Sequence, residues 1–333
     1  MEKTGWRMSR RGLLTGVAAA PALTLTLPGT AEAAMIETTI AQTQKALEGA
    51  KGTKLVLLGT GAGPAPDSAR HMASHVMVHN GDAYILDCGL GVTRQFARIG
   101  LPWRSIKGIF ITHHHPDHNG EYGPLLLYGW VRGMQPQALR AYGPTSMTQM
   151  TQDYLTAMKT TIGFWAKDFH MPPLEKIETH DLDQAGPVMQ DGNVKVASTL
   201  VQHPPVTPAF GYRFDFPDRS IAFSGDTVPL ESVVELAKGA DILVHEAIDM
   251  AAMQINMSAQ IARTGQGNID IMMNHMKADH SPTEEVGRIA TEAGVKTLVL
   301  SHLQPGVSDA RWRADASKHF KGKIIVGRDL MVI

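Results

Sequence analysis

The chain reads as a layered domain of the α/β or α+β class, with mixed β-sheets flanked by helices. Three observations predict this. Short apolar runs recur and end on Gly, Asp or His; tight-turn residues join the early runs; helical patterns separate the later ones. Of the 333 residues, 43% are hydrophobic and 19% charged, which supplies a sizeable core and excludes a disordered chain. With no internal repeat and no low-complexity linker, one domain is expected.

The runs are "TKLVLLGTGAG" (53–63), "SHVMVHNGDAYILDCGLG" (74–91), "IKGIFITHHH" (106–115), "VKVASTLVQH" (194–203), "GYRFDFPDRSIAFSGDT" (211–227), "DILVHEA" (241–247), "KTLVLSH" (296–302) and "KIIVGRDLMVI" (323–333). All read as strands. Asn80-Gly81-Asp82 and Pro217-Asp218-Arg219 read as hairpin turns. Residues 35–50 have helical character. "SPTEEVGRIATEAG" is a helix with Ser281 as N-cap, Pro282 at the first helical position, Glu284 closing a capping box and Gly294 at the end. Two insert-like stretches, 150–173 with Phe164, Trp165 and Phe169, and 247–276 with six methionines, allow two readings. Either they line the site with soft apolar side chains, or they are amphipathic helices burying one face. Met250, Met253 and Met257 have the i, i+3, i+7 spacing of a packed face.

The amino terminus carries a basic start with Arg10 and Arg11, an apolar run from Gly12 to Leu27 broken by Pro21, and Ala31-Glu32-Ala33, which fits a small-residue cleavage site. The run is too short for a membrane anchor. Ser9-Arg10-Arg11-Gly12-Leu13-Leu14 resembles a twin-arginine export signal. The expectation is a signal peptide over 1–33, a spacer over 34–52, a hydrolase domain over 53–333, and a periplasmic mature protein. Residues 1–33 hold four Lys/Arg and two Asp/Glu, so 27 basic and 30 acidic residues remain, a net charge of −3. Such a surface gives no general attraction to a polyanion, so no nucleic-acid partner is expected.

The polar residues fall in a pattern. His115, His203, Asp226, His245 and His302 each stand at or just beyond the end of an apolar strand, where rigid scaffolds carry sites. "ITHHHPDHNG" (111–120) adds four of the fifteen histidines. Alone it is either a solvated cluster or a metal site. His113 and His115 can face one ion from an extended strand end, while Asp117 and His118, after the Pro116 bend, face another direction. The single cysteine, Cys88, excludes a disulfide and any Cys-rich zinc module, so metal would be held by His and carboxylate. That donor set suits Zn²⁺, with Mn²⁺ or Fe²⁺ as alternatives. Asp87 is placed to hydrogen-bond a ligand imidazole, and His245 to donate to a ligand carboxylate. His114 alternates away from the ligand face.

From these residues the chain resembles the metallo-β-lactamase superfamily, and within it the ribonuclease Z and arylsulfatase-like branch. The likeness covers about 53–303 and rests on "LGTGAG" (58–63), "LDCGLGVTRQ" (86–95), "IFITHHHPDHNG", "SGDT" (224–227), "ADILVHEA" (240–247) and "HSPTEEVGRIATEAGVKTLVLSH" (280–302) in the expected order. It departs at Leu90, where the family usually carries an acidic residue. The resemblance implies a four-layer αββα sandwich. It also implies two Zn²⁺: His113, His115 and His203 on one, Asp117, His118 and His302 on the other, Asp226 bridging both. His115 in place of an acidic ligand favours hydrolytic zinc over a redox di-iron centre.

Two such ions would make hydroxide available near neutral pH and stabilise developing negative charge. Asp117 is expected to orient the attacking water, and His280, paired with Glu246, to protonate the leaving group. The expected substrate is a small ester: a phosphodiester, a sulfate ester, or a carboxylic ester or lactone. A β-lactam and a non-catalytic zinc-binding role on the same fold are the alternatives. No stable membrane anchor is expected, and a homodimer is compatible with the chain.

Overall fold

Strand "TKLVLLG" has six of its seven residues buried, because it faces other layers on both sides. Leu55 and Leu57 enter one apolar cluster, Val56 and Leu58 another, as the alternation of side chains along a strand requires. A computed structural model describes residues 28–66, 68–135, 138–174 and 177–333. The chain divides into two units, 1–38 and 39–333. The expected export signal lies, up to residue 27, outside the described residues. The described part of the first unit belongs to helix α1 (Pro28–Leu47), which runs through the expected cleavage site. Its residues 32–38 are exposed.

Within the second unit, Thr43 Oγ1 donates to the Leu330 carbonyl (2.7 Å) and Gln44 Nε2 to the Arg98 carbonyl (2.7 Å), so this end of α1 packs on the body. The strands are β1 (Thr53–Gly59), β2 (Ser74–His79), β3 (Asp82–Leu86), β4 (Ile106–Phe110), β5 (Arg140–Pro144), β6 (Glu178–Leu182), β7 (Gly186–Gln190), β8 (Lys195–His203), β9 (Val206–Asp215), β10 (Ser220–Phe223), β11 (Ile242–Ile248), β12 (Thr297–Gln304), β13 (Lys323–Val326) and β14 (Met331–Val332). The helices after α1 are α2 (Val92–Arg98), α3 (Pro116–Asn119), α4 (Tyr122–Val131), α5 (Met147–Ala157), α6 (Lys159–Phe169), α7 (Glu231–Ala237), α8 (Met250–Thr264), α9 (Ile269–Asp279), α10 (Thr283–Glu292) and α11 (Asp309–Ala316). Among the described residues, no helix is long and apolar enough to cross a membrane.

Two seven-stranded sheets result, ordered β14-β1-β2-β3-β4-β5-β6 and β13-β12-β11-β10-β9-β8-β7. Both are mixed: β1 to β3 and β7 to β10 pair antiparallel, whereas β3 to β6 and β10 to β13 pair parallel. Their facing sides share one cluster with Leu55, Tyr84 and Phe110 from the first sheet and Phe210, Phe214 and Val299 from the second. The outer face of the first sheet packs with Phe96, Leu125 and Trp130 from α2 and α4. That of the second packs with Val233, Ile289 and Trp312 from α7, α10 and α11. This is the αββα sandwich.

Several local expectations hold. Asn80 (φ 50°) and Gly81 (φ 93°) both take the left-handed region that a two-residue hairpin turn needs. Met253 and Met273 are buried against Ile248, with Met250 and Met257 packed beside them. Other expectations fail for tertiary reasons. The run 323–333 is not one strand. The chain turns at Arg328 to Leu330, β13 joins the second sheet and β14 the first. The capping box of α10 is also absent: Ser281 Oγ donates to the Thr227 carbonyl (2.7 Å) and Glu284 pairs with Lys318 (2.8 Å). Ser281 is fully buried, so its hydroxyl serves the 224–227 loop instead of the helix end. Gly294 (φ 67°) does follow the helix end.

Candidate metal centre

The site forms where strand ends of both sheets meet. The loop after β4 supplies His113, His115, Asp117 and His118 in one turn, which Pro116 bends into α3. The second sheet supplies His203 from the end of β8, Asp226 from the loop after β10, and His302 from β12. Strand parity alone would not aim His302 here. Its neighbours Ser301 and Leu303 pair with Glu246 and Ala247, so His302 is an extra residue in the ladder. With φ 46° it forms a bulge, a device that re-aims a side chain near a site.

The donors gather into connected groups. His115 Nδ1 lies 3.1 Å from both His113 Nε2 and His203 Nε2. His302 Nε2 lies 3.2 Å from Asp117 Oδ2 and 3.2 Å from Asp226 Oδ2. His118 Nε2 lies 3.3 Å from Asp226 Oδ2. The groups His113–His115–His203 and Asp117–His118–His302 each have their donor atoms within 4.8 Å of one another, and Asp226 closes a third with His113 and His118. All seven expected metal-ligating residues therefore meet in one cradle.

A second set of contacts fixes the rings. His118 Nδ1 donates to Asp87 Oδ2 (2.8 Å) and His203 Nδ1 to the Asp279 carbonyl (3.0 Å). His113 Nδ1 donates to Thr112 Oγ1 (3.0 Å), whose own hydroxyl donates to Asp87 Oδ2 (3.0 Å). The Nε2 atoms of His113 and His203 are then lone-pair acceptors in the neutral rings, and His115 can offer a proton to only one of them. His118 Nε2 sits near Asp226 without hydrogen-bond geometry and has no partner among the described residues. Converging imidazole lone pairs about 3 Å apart do not satisfy one another. They match the edge of a tetrahedron around a zinc with bonds of about 2.0–2.1 Å. The residues fit a divalent metal centre.

The electrostatics agree. Burial pushes His113 well below the ordinary imidazole range, with His118 adding to it. Burial also lowers His203 to about 4. Burial opposes ionisation of Asp226, but His302 and His118 outweigh it and hold that carboxyl well below its usual range. Asp117 is lowered against burial by His118 and His302. His118 is the exception: burial would lower it, yet the carboxylates of Asp226, Asp87 and Asp117 raise it well above the usual value. Neutral imidazoles and ionised carboxylates are the forms that bind a divalent cation.

The remaining candidates lie alongside. His280 Nδ1 is 2.9 Å from Glu246 Oε2, and Glu246 Oε1 also accepts from Thr227 N (2.8 Å). Burial opposes charge on His280, but the Glu246 carboxylate raises it to about 9. His114 turns outward to the Thr145 carbonyl (3.1 Å). His245 Nδ1 donates to the Glu246 carbonyl (2.8 Å) rather than to a ligand carboxylate, and Cys88 is fully buried. Of the two insert-like stretches, α6 has no buried residue and Phe164, Trp165 and Phe169 stay exposed. From 247–276, His275 and Met276 line the cavity over the centre. Sequence reading missed Thr112, the Asp279 carbonyl and His75, whose Nε2 is 3.0 Å from Ser301 Oγ beside His302. A backbone carbonyl leaves no mark in sequence. Asp329, which accepts from Thr60 N (3.0 Å) and His71 N (2.7 Å) to pin the glycine loop, was equally silent.

The fold and this cradle define a metallo-hydrolase class. The family model described as "Metallo-beta-lactamase superfamily" matches residues 71–302, and the chain belongs to that superfamily. Ribonuclease Z of Mycobacterium bovis (strain BCG / Pasteur 1173P2) is 33% identical over 285 residues, covering 83% of this chain and 96% of the relative. Ribonuclease Z of Mycobacterium avium (strain 104) is 31% identical over the same length and coverage. Among solved structures, human tRNase Z, short form, shares the fold with a TM-score of 0.61 at 22% identity, covering 84% of this chain and 98% of that one.

These relatives correct the substrate expectation. Proteins named for action on RNA, alike over most of both chains, overturn a small-molecule ester substrate and the absence of a nucleic-acid partner. The arylsulfatase and β-lactam readings fall with it. The physical reason lies in the charge argument. Net charge sums the whole surface, whereas attraction of a phosphate is decided in the cleft, where cations held by Asp117 and Asp226 would dominate the local field.

Proposed function

We propose that the chain is a metal-dependent endoribonuclease of the ribonuclease Z type, hydrolysing phosphodiester bonds in tRNA-like RNA. One observation carries this reading: a 33% identity that runs through 96% of a ribonuclease Z, with the family match at 71–302 enclosing the whole cradle. His113, His115 and His203 would hold one divalent ion, Asp117, His118 and His302 a second, and Asp226 both. Bound there, two Zn²⁺ would activate water near neutral pH and neutralise charge building on the phosphate.

The chain's own groups supply the rest. Asp117 Oδ2 is fixed by the Gly63 N–H (2.7 Å), which leaves Oδ1 to orient the attacking water and take its proton. A side chain at Gly63 would collide with Asp117, so that position requires glycine. His280 keeps Nδ1–H on Glu246 and offers its Nε2–H to the leaving oxygen. Asp87 and the Asp279 carbonyl hold the rings in register. The test is cleavage of an end-labelled precursor tRNA with a 3′ extension by zinc-loaded protein. A single endonucleolytic cut is expected, reduced at least 10³-fold by Asp117→Ala. Intact RNA after prolonged incubation with fully loaded protein would overturn the reading.

A further inference from the structure

Beside the centre lies a cavity of about 150 Å³ whose walls are not all ligands. Besides Gly63 and the residues already placed at the centre, it is lined by Pro64, His275, Met276 and Gln304. The mechanism uses none of these four. Gln304 stands two residues after His302 and is 6% exposed; its carbonyl accepts from Asp249 N (2.9 Å), which fixes the backbone. Its Nε2 has no partner among the described residues. A buried amide left unpaired is unfavourable unless something binds it. His275, on α9, is half exposed, and its Nδ1 lies against the buried Asp279 carboxylate, so the ring is anchored from behind. Met276 is half-buried and Pro64 exposed, giving apolar surface on either side of the amide.

We infer that this pocket is a nucleobase subsite, which takes a base flanking the scissile phosphodiester and reads its edge with the Gln304 amide. The inference rests on the proposed RNA substrate and deepens it. The chemistry matches at each wall. Unpaired bases are recognised by stacking on flat or apolar side chains and by hydrogen bonds to their edges. A terminal amide supplies one donor group and one acceptor, as base-edge recognition by Gln requires. The anchored His275 ring and the Met276 thioether offer the stacking surface, and the cradle beside them fixes where the phosphate must lie. The pocket thus couples base identity to placement of the bond.

The experiment measures kcat/KM on a set of precursor RNAs that differ only in the base on each side of the cut, for the zinc-loaded wild type and for Gln304→Met. A ratio between substrates taken with one preparation is independent of the fraction folded. His275→Ala, assayed in parallel, tests the stacking wall with the amide intact. The wild type is expected to favour one base at one flanking position by about 5- to 150-fold. Gln304→Met, which keeps the volume and removes the hydrogen bonds, should flatten that preference to within about twofold. His275→Ala should raise KM for all substrates and leave the order of bases unchanged. A preference that survives in Gln304→Met, or a wild type indifferent to both flanking bases, overturns the subsite while leaving the RNA reading intact. No cleavage of any RNA by the wild type overturns the RNA reading, and the subsite with it.

Discussion

The two sheets contribute to the cradle in opposite ways. The first delivers four donors, His113, His115, Asp117 and His118, within six residues of one loop. The second delivers three, His203, Asp226 and His302, from three separate strands that span a hundred residues of chain. A compact loop needs only local geometry, a strand end and the Pro116 bend. The dispersed set needs the parallel pairing of β10, β11 and β12 and the bulge at His302. The difference teaches that one half of the centre is a local motif and the other a product of the fold. Asp226 is one place where the halves join, 3.3 Å from His118 of the first sheet and 3.2 Å from His302 of the second.

The sharpest way to break that comparison is Asp226→Ala. It removes a carboxylate that faces donors of both sheets, so zinc content should fall from two ions towards one or none and RNA cleavage by about 10³-fold or more. Measured metal stoichiometry decides it: two tightly held zincs in this variant would mean the sheets act independently. A smaller effect is expected within the first sheet's half. Asp87 (φ 61°) sits where Asn is also tolerated, so Asp87→Asn keeps the backbone and removes the charge behind His118. Zinc affinity should weaken by about 10- to 100-fold in chelator competition. An unchanged affinity would show that the Asp87 charge does nothing for the ligand.

The smallest effect belongs to the second sheet's half and is a matter of pH. His280 is raised to about 9 because Glu246 faces its Nδ1, so the protonated form persists through neutral pH and is lost as pH rises through that value. If His280 donates the proton, kcat/KM should fall on the basic side. Glu246→Gln removes the group that raises it, which moves the limb down in pH towards the ordinary imidazole value near 6.5. A basic limb that stays in place in Glu246→Gln would remove His280 from the proton-donor role.

Much of this was legible before the structure. Strand runs ending on His or Asp placed His115, His203, Asp226 and His302 at strand ends, where rigid scaffolds carry sites. The resemblance then sorted the seven donors into two sets, and the cradle brings those sets together. The pairing of Glu246 with His280 also appears as expected. The capping box at Ser281 misled, because a local pattern cannot see that the hydroxyl is needed by a loop more than fifty residues earlier. The split of 323–333 across both sheets misled for the same reason. The substrate expectation failed because a net charge of −3 averages over a surface, whereas recognition happens in one cleft.

By itself, the sequence determined the layered class, the loop donors, and the ligand chemistry, which without thiols is imidazole and carboxylate. These follow from residue type and short-range periodicity, which the chain carries in order. Only the tertiary structure decided that His302 turns inward at a bulge, that Asp279 holds His203 through its backbone, and that Gln304, Met276 and His275 share a pocket beside the centre. Each depends on pairing between distant strands and helices, where the geometry is set by packing and leaves no local pattern to read.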